Sequence, residues 1–135
     1  MELSEQTSAS VELIVAAEMT AAAYARRPGE RYPNVLATPV MIGEMERAAA
    51  ALLQPLLGEG QLSVGAKTDI SHFAPTPIGA LVRTHARFVG REGVLYWFEV
   101  WSEDPGGTIG KGRHARAIVA ATSIEEKAAT RRGSP

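Results

Sequence analysis

The sequence has no cysteine among its 135 residues, which excludes disulfide bonds and thiolate chemistry. It also has almost no net charge, since 14 lysines and arginines stand against 15 aspartates and glutamates. A chain without a strong field of either sign has no general attraction to nucleic acid or to an anionic membrane, and we expect neither as a partner. No apolar run approaches the roughly 20 residues of a membrane span, and the start, MELSEQTSAS, is unlike a secretion signal. These absences predict a cytoplasmic protein.

Motifs for binding metals and phosphates are absent as well. The histidines, His72, His85 and His114, lack the spacing of zinc ligands, and no carboxylates are spaced for a shared cation. The glycine-rich segment GTIGKG (107–112) lies between strand-like runs and opens no helix, so it does not predict a phosphate-binding loop. We therefore expect no metal site.

The residues that are present predict one domain, because a chain of this length that is 45% hydrophobic can bury a single core. Alternating apolar residues over 11–19 predict a strand, and proline, glycine and charge over 25–34 predict a loop. The pattern then becomes helical, with Thr38 suited to the N-cap, Pro39 to the first helical position, and Gly58 past the last apolar residues. An apolar stripe along this helix has to be buried.

Four strand-like runs follow the helix, at 61–73, 80–91, 93–103 and 108–122, and turn sequences between them predict a meander. A curved antiparallel sheet is what the chain offers to cover the helix, so the predicted fold class is α+β. We expect the domain to span 1–124, with a flexible polar tail over 125–135.

Aromatic residues on both faces of one predicted strand favour an oligomer. Tyr96, Trp97 and Trp101 fall in mixed register, and five strands leave two sheet edges. An apolar edge or face of this kind is normally covered in folded proteins, so we expect an obligate dimer.

Two helix residues are candidates for chemistry. Glu46 lies at the border of the apolar stripe, where a partly desolvated carboxylate would be a better base near neutral pH. The alternative is a boundary glutamate that reaches water, which is the only interpretation for Glu44. Thr38 is either a plain helix cap or a hydroxyl that faces a ligand at the helix start.

The histidines also allow two interpretations each. His72 shares a strand face with Ile70, so it is either a site residue or a satisfied core histidine. His85 alternates with arginines and is expected to be exposed. His114 lies beside Arg113 and Arg116, in a basic cluster suited to phosphate or at a solvated sheet end.

Three segments resemble the fluoroacetyl-CoA thioesterase family of hotdog-fold proteins: VLATPVMIGEME (35–46), VGAKTDISHFAPTPIG (64–79) and IGKGRHARAIV (109–119). The resemblance runs in order from about residue 30 to residue 120. It implies the hotdog fold, in which a curved antiparallel sheet wraps around one long central helix and two chains dimerise side by side.

The resemblance also implies a set of site residues. Its catalytic positions fall on Thr38, Glu46 and His72. Gly65, in the strand before the histidine, would line the acyl end of the substrate, and Arg116, in the last strand, would contact coenzyme A.

Three more residues are expected to contact the substrate: Tyr32, Phe73 and His114. The family's fluoroacetate-selective member has paired phenylalanines in the loop before the helix, where this chain has Gly29 and Tyr32. This departure argues against selectivity for a fluorinated acyl group.

Together these features predict hydrolysis of a short-chain acyl-CoA, with coenzyme A as part of the substrate and no separate cofactor. Glu46 would act as general base for water or would attack directly. Because eight helical residues span roughly 12 Å, Thr38 and Glu46 cannot bond directly, so either the substrate lies between them or two subunits supply them. The resemblance to hotdog proteins favours the second, a site at the dimer interface. The alternatives are a non-catalytic acyl-CoA sensor and a hotdog enoyl-CoA hydratase or dehydratase, and a dimer and a dimer of dimers are both open.

Overall fold

The structure is a computed structural model that describes residues 2–133. Five strands and two α-helices form it, joined in places by short 3-10 turns. In chain order they are β1 (Ser8–Ile14), α1 (Thr38–Leu53), β2 (Gln61–His72), β3 (Leu81–Glu92), β4 (Leu95–Asp104), β5 (Gly107–Ala120) and α2 (Ala121–Thr130). One strand is followed by one long helix and then by four strands, which confirms the predicted α+β class.

The five strands form one antiparallel sheet in the order β1-β3-β4-β5-β2. The meander of β3, β4 and β5 is confirmed. The inclusion of β2 in it was wrong, because β2 pairs with β5 at the far edge. The connection from β2 to β3 contains Pro75 and Pro77, and a chain with two missing amide donors leaves the sheet instead of turning back as a hairpin.

Helix α1 packs on the inner face of the sheet, and the predicted apolar stripe is the part that it buries. Met41 and Met45 face Val82, Phe98 and Val100 in one continuous cluster. The residues of α1 that are buried are Met41, Glu44, Met45, Ala48, Ala49, Leu52 and Leu53. At about 1.5–3 kcal/mol for each large apolar side chain, this face is the main source of stability for the helix.

On the outer face of the sheet, arginine side chains cover the two tryptophans. The Arg113 guanidinium lies 4.4 Å from the Trp97 ring centroid, and that of Arg87 lies 5.6 Å from the Trp101 ring. Tyr96 packs against the core on the other face. These aromatic residues are therefore shielded within one chain, and they do not by themselves require a partner.

Three predicted boundaries differ from the structure. Strand β1 ends at Ile14, and Ala17–Met19 forms a 3-10 turn instead of continuing the strand. The N-cap of α1 is Ala37, so the assignment of Thr38 as the cap was wrong. The chain after β5 forms α2, none of whose residues is buried. Within residues 2–133, no helix is long and apolar enough to cross a membrane.

Candidate active site

The first group of the candidate site is a hydrogen-bonded pair at the start of α1. Thr38 Oγ1 lies 2.7 Å from His72 Nδ1, which joins the first turn of the helix to the last residue of β2. Thr38 is free for this contact because it lies inside the helix and does not bond the amides of its first turn, as a cap would. Its 34-residue separation from His72 hid this pair from pattern analysis.

A cavity of about 340 Å³ opens beside this pair. Thr38 and His72 line it together with Phe73, which is 55% exposed, and with Val35 and Leu36 from the segment before the helix. The walls are mainly apolar with one hydroxyl and one imidazole, the usual composition of a small-molecule site. The predictions for Thr38, His72 and Phe73 thus fall on one cavity.

The surroundings of His72 favour its neutral form. Burial lowers the pKa of His72 below its ordinary value of 6.5, and the Ala74 backbone partly offsets this by raising it. Its Nε2 is buried and has no partner of good hydrogen-bond geometry in the described part of the chain.

The start of α1 offers few backbone donors to a ligand. The amides of Val40 and Met41 both donate to the Ala37 carbonyl, and Pro39 has no amide hydrogen. The Thr38 amide is the donor of this turn that remains for a ligand oxygen. The first turn of the helix therefore offers a ligand one backbone donor.

The second group of the site is centred on Glu46, two turns further along α1. Its Oε1 accepts a hydrogen bond of 3.0 Å from Arg116 Nη1. The Glu46 side chain is 43% exposed and that of Arg116 8%. The helical wheel placed Glu46 correctly at the border of the buried stripe, where its side chain is partly buried and has the Arg116 cation beside it.

Gly65 leaves the space that Glu46 occupies. A Cβ atom at Gly65 would overlap Glu46 Oε1 and would lie 3.2 Å from His114 Cε1. Only a residue without a side chain allows the carboxylate to approach β2 this closely. Gly65 thus shapes the space around Glu46, and its predicted contact with the acyl group stays a prediction.

Two predicted surface residues are buried. Arg116 is 7% exposed, and its guanidinium bonds Ser63, Glu46 and His114, while its contact with coenzyme A stays a prediction. His114 is 1% exposed, so it is neither a solvated sheet end nor part of a surface cluster for phosphate. Along β5, His114 and Arg116 point inward, and Arg113 points outward toward Trp97.

Tyr32 lies apart from both groups, in a neighbouring apolar cavity of about 310 Å³. Tyr24, Ala21, Ala37 and Pro39 complete its walls. Tyr32 is 48% exposed, and its contact with a substrate stays a prediction. Tyr24 was not selected from the sequence, because a tyrosine in a short 3-10 turn carries no spacing signal.

The single chain does not bring its two groups together. The cavity beside Thr38 and His72 is not lined by Glu46, and eight helical residues separate Thr38 from Glu46, roughly 12 Å along the axis. Both groups lie next to β2, which pairs with β5 on one side and forms an edge of the sheet on the other. Within one chain, a site that uses both groups would need a substrate that spans this distance of roughly 12 Å.

Comparisons with known proteins identify the family of this chain. The family model for fluoroacetyl-CoA-specific thioesterases matches residues 15–122. The fluoroacetyl-CoA thioesterase of Streptantibioticus cattleyicolor is 35% identical over 88 residues, which are 65% of this chain and 63% of that protein. The match therefore spans less than two thirds of that relative's length.

Solved structures extend the likeness to the whole fold. A structure of the fluoroacetyl-CoA thioesterase FlK superimposes with a TM-score of 0.92 at 27% identity, over 98% of this chain and 100% of that one. A thioesterase superfamily member from Thermus thermophilus superimposes with a TM-score of 0.85 at 28% identity, over 96% of this chain and 93% of that one. The predicted hotdog fold is confirmed, and the chain belongs to the family of fluoroacetyl-CoA-specific thioesterases.

Proposed function

We propose that this chain hydrolyses a short-chain acyl-CoA thioester to the free acid and coenzyme A, at a site completed by a second copy of the chain. The observation that carries the proposal is the 2.7 Å contact between Thr38 Oγ1 and His72 Nδ1 at the wall of a cavity. Family membership and the names of the relatives support the class of substrate. Coenzyme A enters as substrate, and the reaction needs no metal or other cofactor.

Thr38 and His72 would bind the thioester carbonyl. With its Nδ1 protonated, neutral His72 donates to Thr38 Oγ1, and the hydroxyl hydrogen of Thr38 is then free to bond the carbonyl oxygen. The Thr38 amide supplies a second donor at the same end of the helix. Two donors aimed at one oxygen stabilise the negative charge that develops there in the tetrahedral intermediate.

Glu46 would activate the water. Its carboxylate takes one proton from water while the water oxygen forms a bond to the carbonyl carbon, and the carbon–sulfur bond then breaks. The proton on Glu46 passes to the departing thiolate, so the products are the acid and the free thiol. The hydrogen bond from Arg116 orients Glu46 for this step.

A dimer through β2 would join the two groups. On β5, Gly65 pairs with Arg116, Asp69 with Arg113 and His72 with Gly110. Counted along β5, Gly65 and His72 therefore lie three positions on either side of Asp69. Antiparallel pairing of β2 with its own copy, centred near Asp69, would therefore place Gly65 and the adjacent Glu46 across from the copy's His72.

The test is thiol release from purified protein. Acetyl-CoA should yield free thiol, and an enoyl-CoA should gain no water. E46Q should lower turnover at least ~100-fold if the carboxylate is the base. E44Q is the matched control, because Glu44 lies on the same helix and pairs with Arg47 instead of Arg116. Tight binding without turnover would favour a sensor, and hydration of the enoyl-CoA would favour a hydratase; either result excludes the proposal.

A further inference from the structure

His114 is the most deeply buried ionisable ring in the described part of the chain, and the proposed reaction does not use it. It is 1% exposed and lies on the inner face of β5. Its Nδ1 is 2.9 Å from the Lys67 carbonyl and 3.0 Å from Thr68 Oγ1. Its Nε2 is 3.1 Å from Arg116 Nη1. Both ring nitrogens are therefore satisfied.

These neighbours fix the tautomer of His114. A guanidinium can only donate, so Nε2 beside Arg116 has to carry the lone pair. A carbonyl can only accept, so Nδ1 beside Lys67 has to carry the hydrogen. The two ends of the ring require the same neutral form. The register of β2 against β5 shifts between Gly65 and Lys67, next to the carbonyl that accepts this hydrogen bond.

His114 is also one of the groups that fix the Arg116 guanidinium. Arg116 donates from Nε to Ser63 Oγ and from Nη2 to the Ser63 carbonyl, each at 3.0 Å. Nη1 has two hydrogens, and its two acceptors are Glu46 Oε1 and His114 Nε2. When His114 accepts one of these hydrogens, the other is directed at Glu46.

We propose that His114, held as the neutral Nδ1–H tautomer by the Lys67 carbonyl, is a positioning residue that fixes Arg116 against Glu46. The carboxylate is 43% exposed, and Arg116 is its hydrogen-bond partner among the described residues, so Glu46 has little else to hold it in place. Burial first, and then Arg116, lower the pKa of His114 below 6.5, although Lys67 and Glu46 partly oppose the shift by raising it. The role in turnover rests on the proposed function of Glu46.

The tautomer is tested without any activity assay. In the ¹⁵N-labelled wild type at pH 7, the His114 ring should show a protonated Nδ1 and an unprotonated Nε2. A protonated Nε2, or an imidazolium, overturns the proposal. If the wild type releases no thiol from any acyl-CoA, the proposed function fails, and this spectrum still decides the arrangement of His114 and Arg116.

The effect on turnover is tested with matched variants. H114L removes the acceptor at similar volume and should lower kcat at least ~10-fold with little change in KM, the cost of losing one hydrogen bond to a charged group. H114Q returns an amide oxygen that can accept from Arg116, and it should recover most of the loss. H85L is the control, since His85 contacts Ser10, Glu103 and Trp101 on the outer face, and it should leave kcat unchanged.

A double variant distinguishes a positioning role of His114 from general damage to the fold. If His114 acts through Arg116 and Glu46, H114L should add almost no further loss in an E46Q background. If H114L lowers kcat by the same factor in the wild-type and E46Q backgrounds, with thermal stability matched between variants, the proposal is overturned. Failure of H114Q to recover activity while it folds normally would do the same.

Discussion

A heterodimer of two inactive variants tests whether residues from two chains form each site. Thr38 and His72 are 2.7 Å apart in one chain, so they belong to the same half of a site. Glu46 lies eight helical residues from Thr38, roughly 12 Å along the axis, and by the proposed pairing it serves the other half. E46Q and H72N should each be nearly inactive. A heterodimer of one E46Q chain and one H72N chain has one site with both residues intact, so it should regain about half of the wild-type activity per dimer.

The assay uses co-expression with two different tags, tandem purification and thiol release from acetyl-CoA. The control pairs T38V with H72N, which leaves neither chain with both Thr38 and His72, so this heterodimer should stay inactive. Native mass spectrometry establishes that each sample is the heterodimer. An E46Q and H72N heterodimer as inactive as its parents would refute the shared site, and so would a chain that does not dimerise.

Three further predictions follow from the contacts around β2. G65A should lower kcat at least ~10-fold, because the new Cβ overlaps Glu46 Oε1 and displaces it. D69C should form a disulfide-linked dimer on oxidation, since the chain has no other cysteine and Asp69 lies near the proposed centre of pairing; a reduced monomer on a non-reducing gel would contradict this. The lowered pKa of His72 and of His114 makes the unfolded state bind more protons, so the free energy of unfolding should fall as pH drops below 6.5, and urea titrations of H114Q should show a shallower fall.

Controls accompany each of these measurements. G43A adds a methyl group where no atom lies within 4 Å, so it tests the effect of glycine replacement alone and should leave kcat unchanged. K67C, closer to one end of β2, should cross-link less than D69C. If the free energy of unfolding of H114Q depends on pH as strongly as that of the wild type, His114 does not contribute to this dependence.

Periodicity predicted the elements of the fold but not the pairing of all its strands. The run over 61–73 and its structural counterpart β2 agree almost residue for residue. Alternation reports which face of a strand is buried, and it contains nothing about which strand lies alongside. The position of β2 beside β5 therefore had to come from the three-dimensional structure, although Pro75 and Pro77 already argued against a tight hairpin.

The same rule of alternation applies to His114. Its neighbours Arg113 and Arg116 predicted a single basic cluster. Period two puts His114 and Arg116 on one face and Arg113 on the other, and the structure has this arrangement. The signal was present, but charge of one sign over four residues obscured it. That the inward face meets Glu46, 70 residues away in sequence, was beyond any local pattern.

The proposed position of the site along β2 follows from what an edge strand offers. An unpaired edge exposes a row of amides and carbonyls, which is a hazard unless something covers it. In this chain, Thr38 with His72 and Glu46 with Gly65 lie beside that edge, and neither group alone holds both a carbonyl-binding donor and a carboxylate base. Pairing of β2 with its copy would cover the edge and complete the two groups in one step. Folding, assembly and hydrolysis would then depend on the same twelve-residue strand, so substitutions along it should impair dimer formation and turnover together.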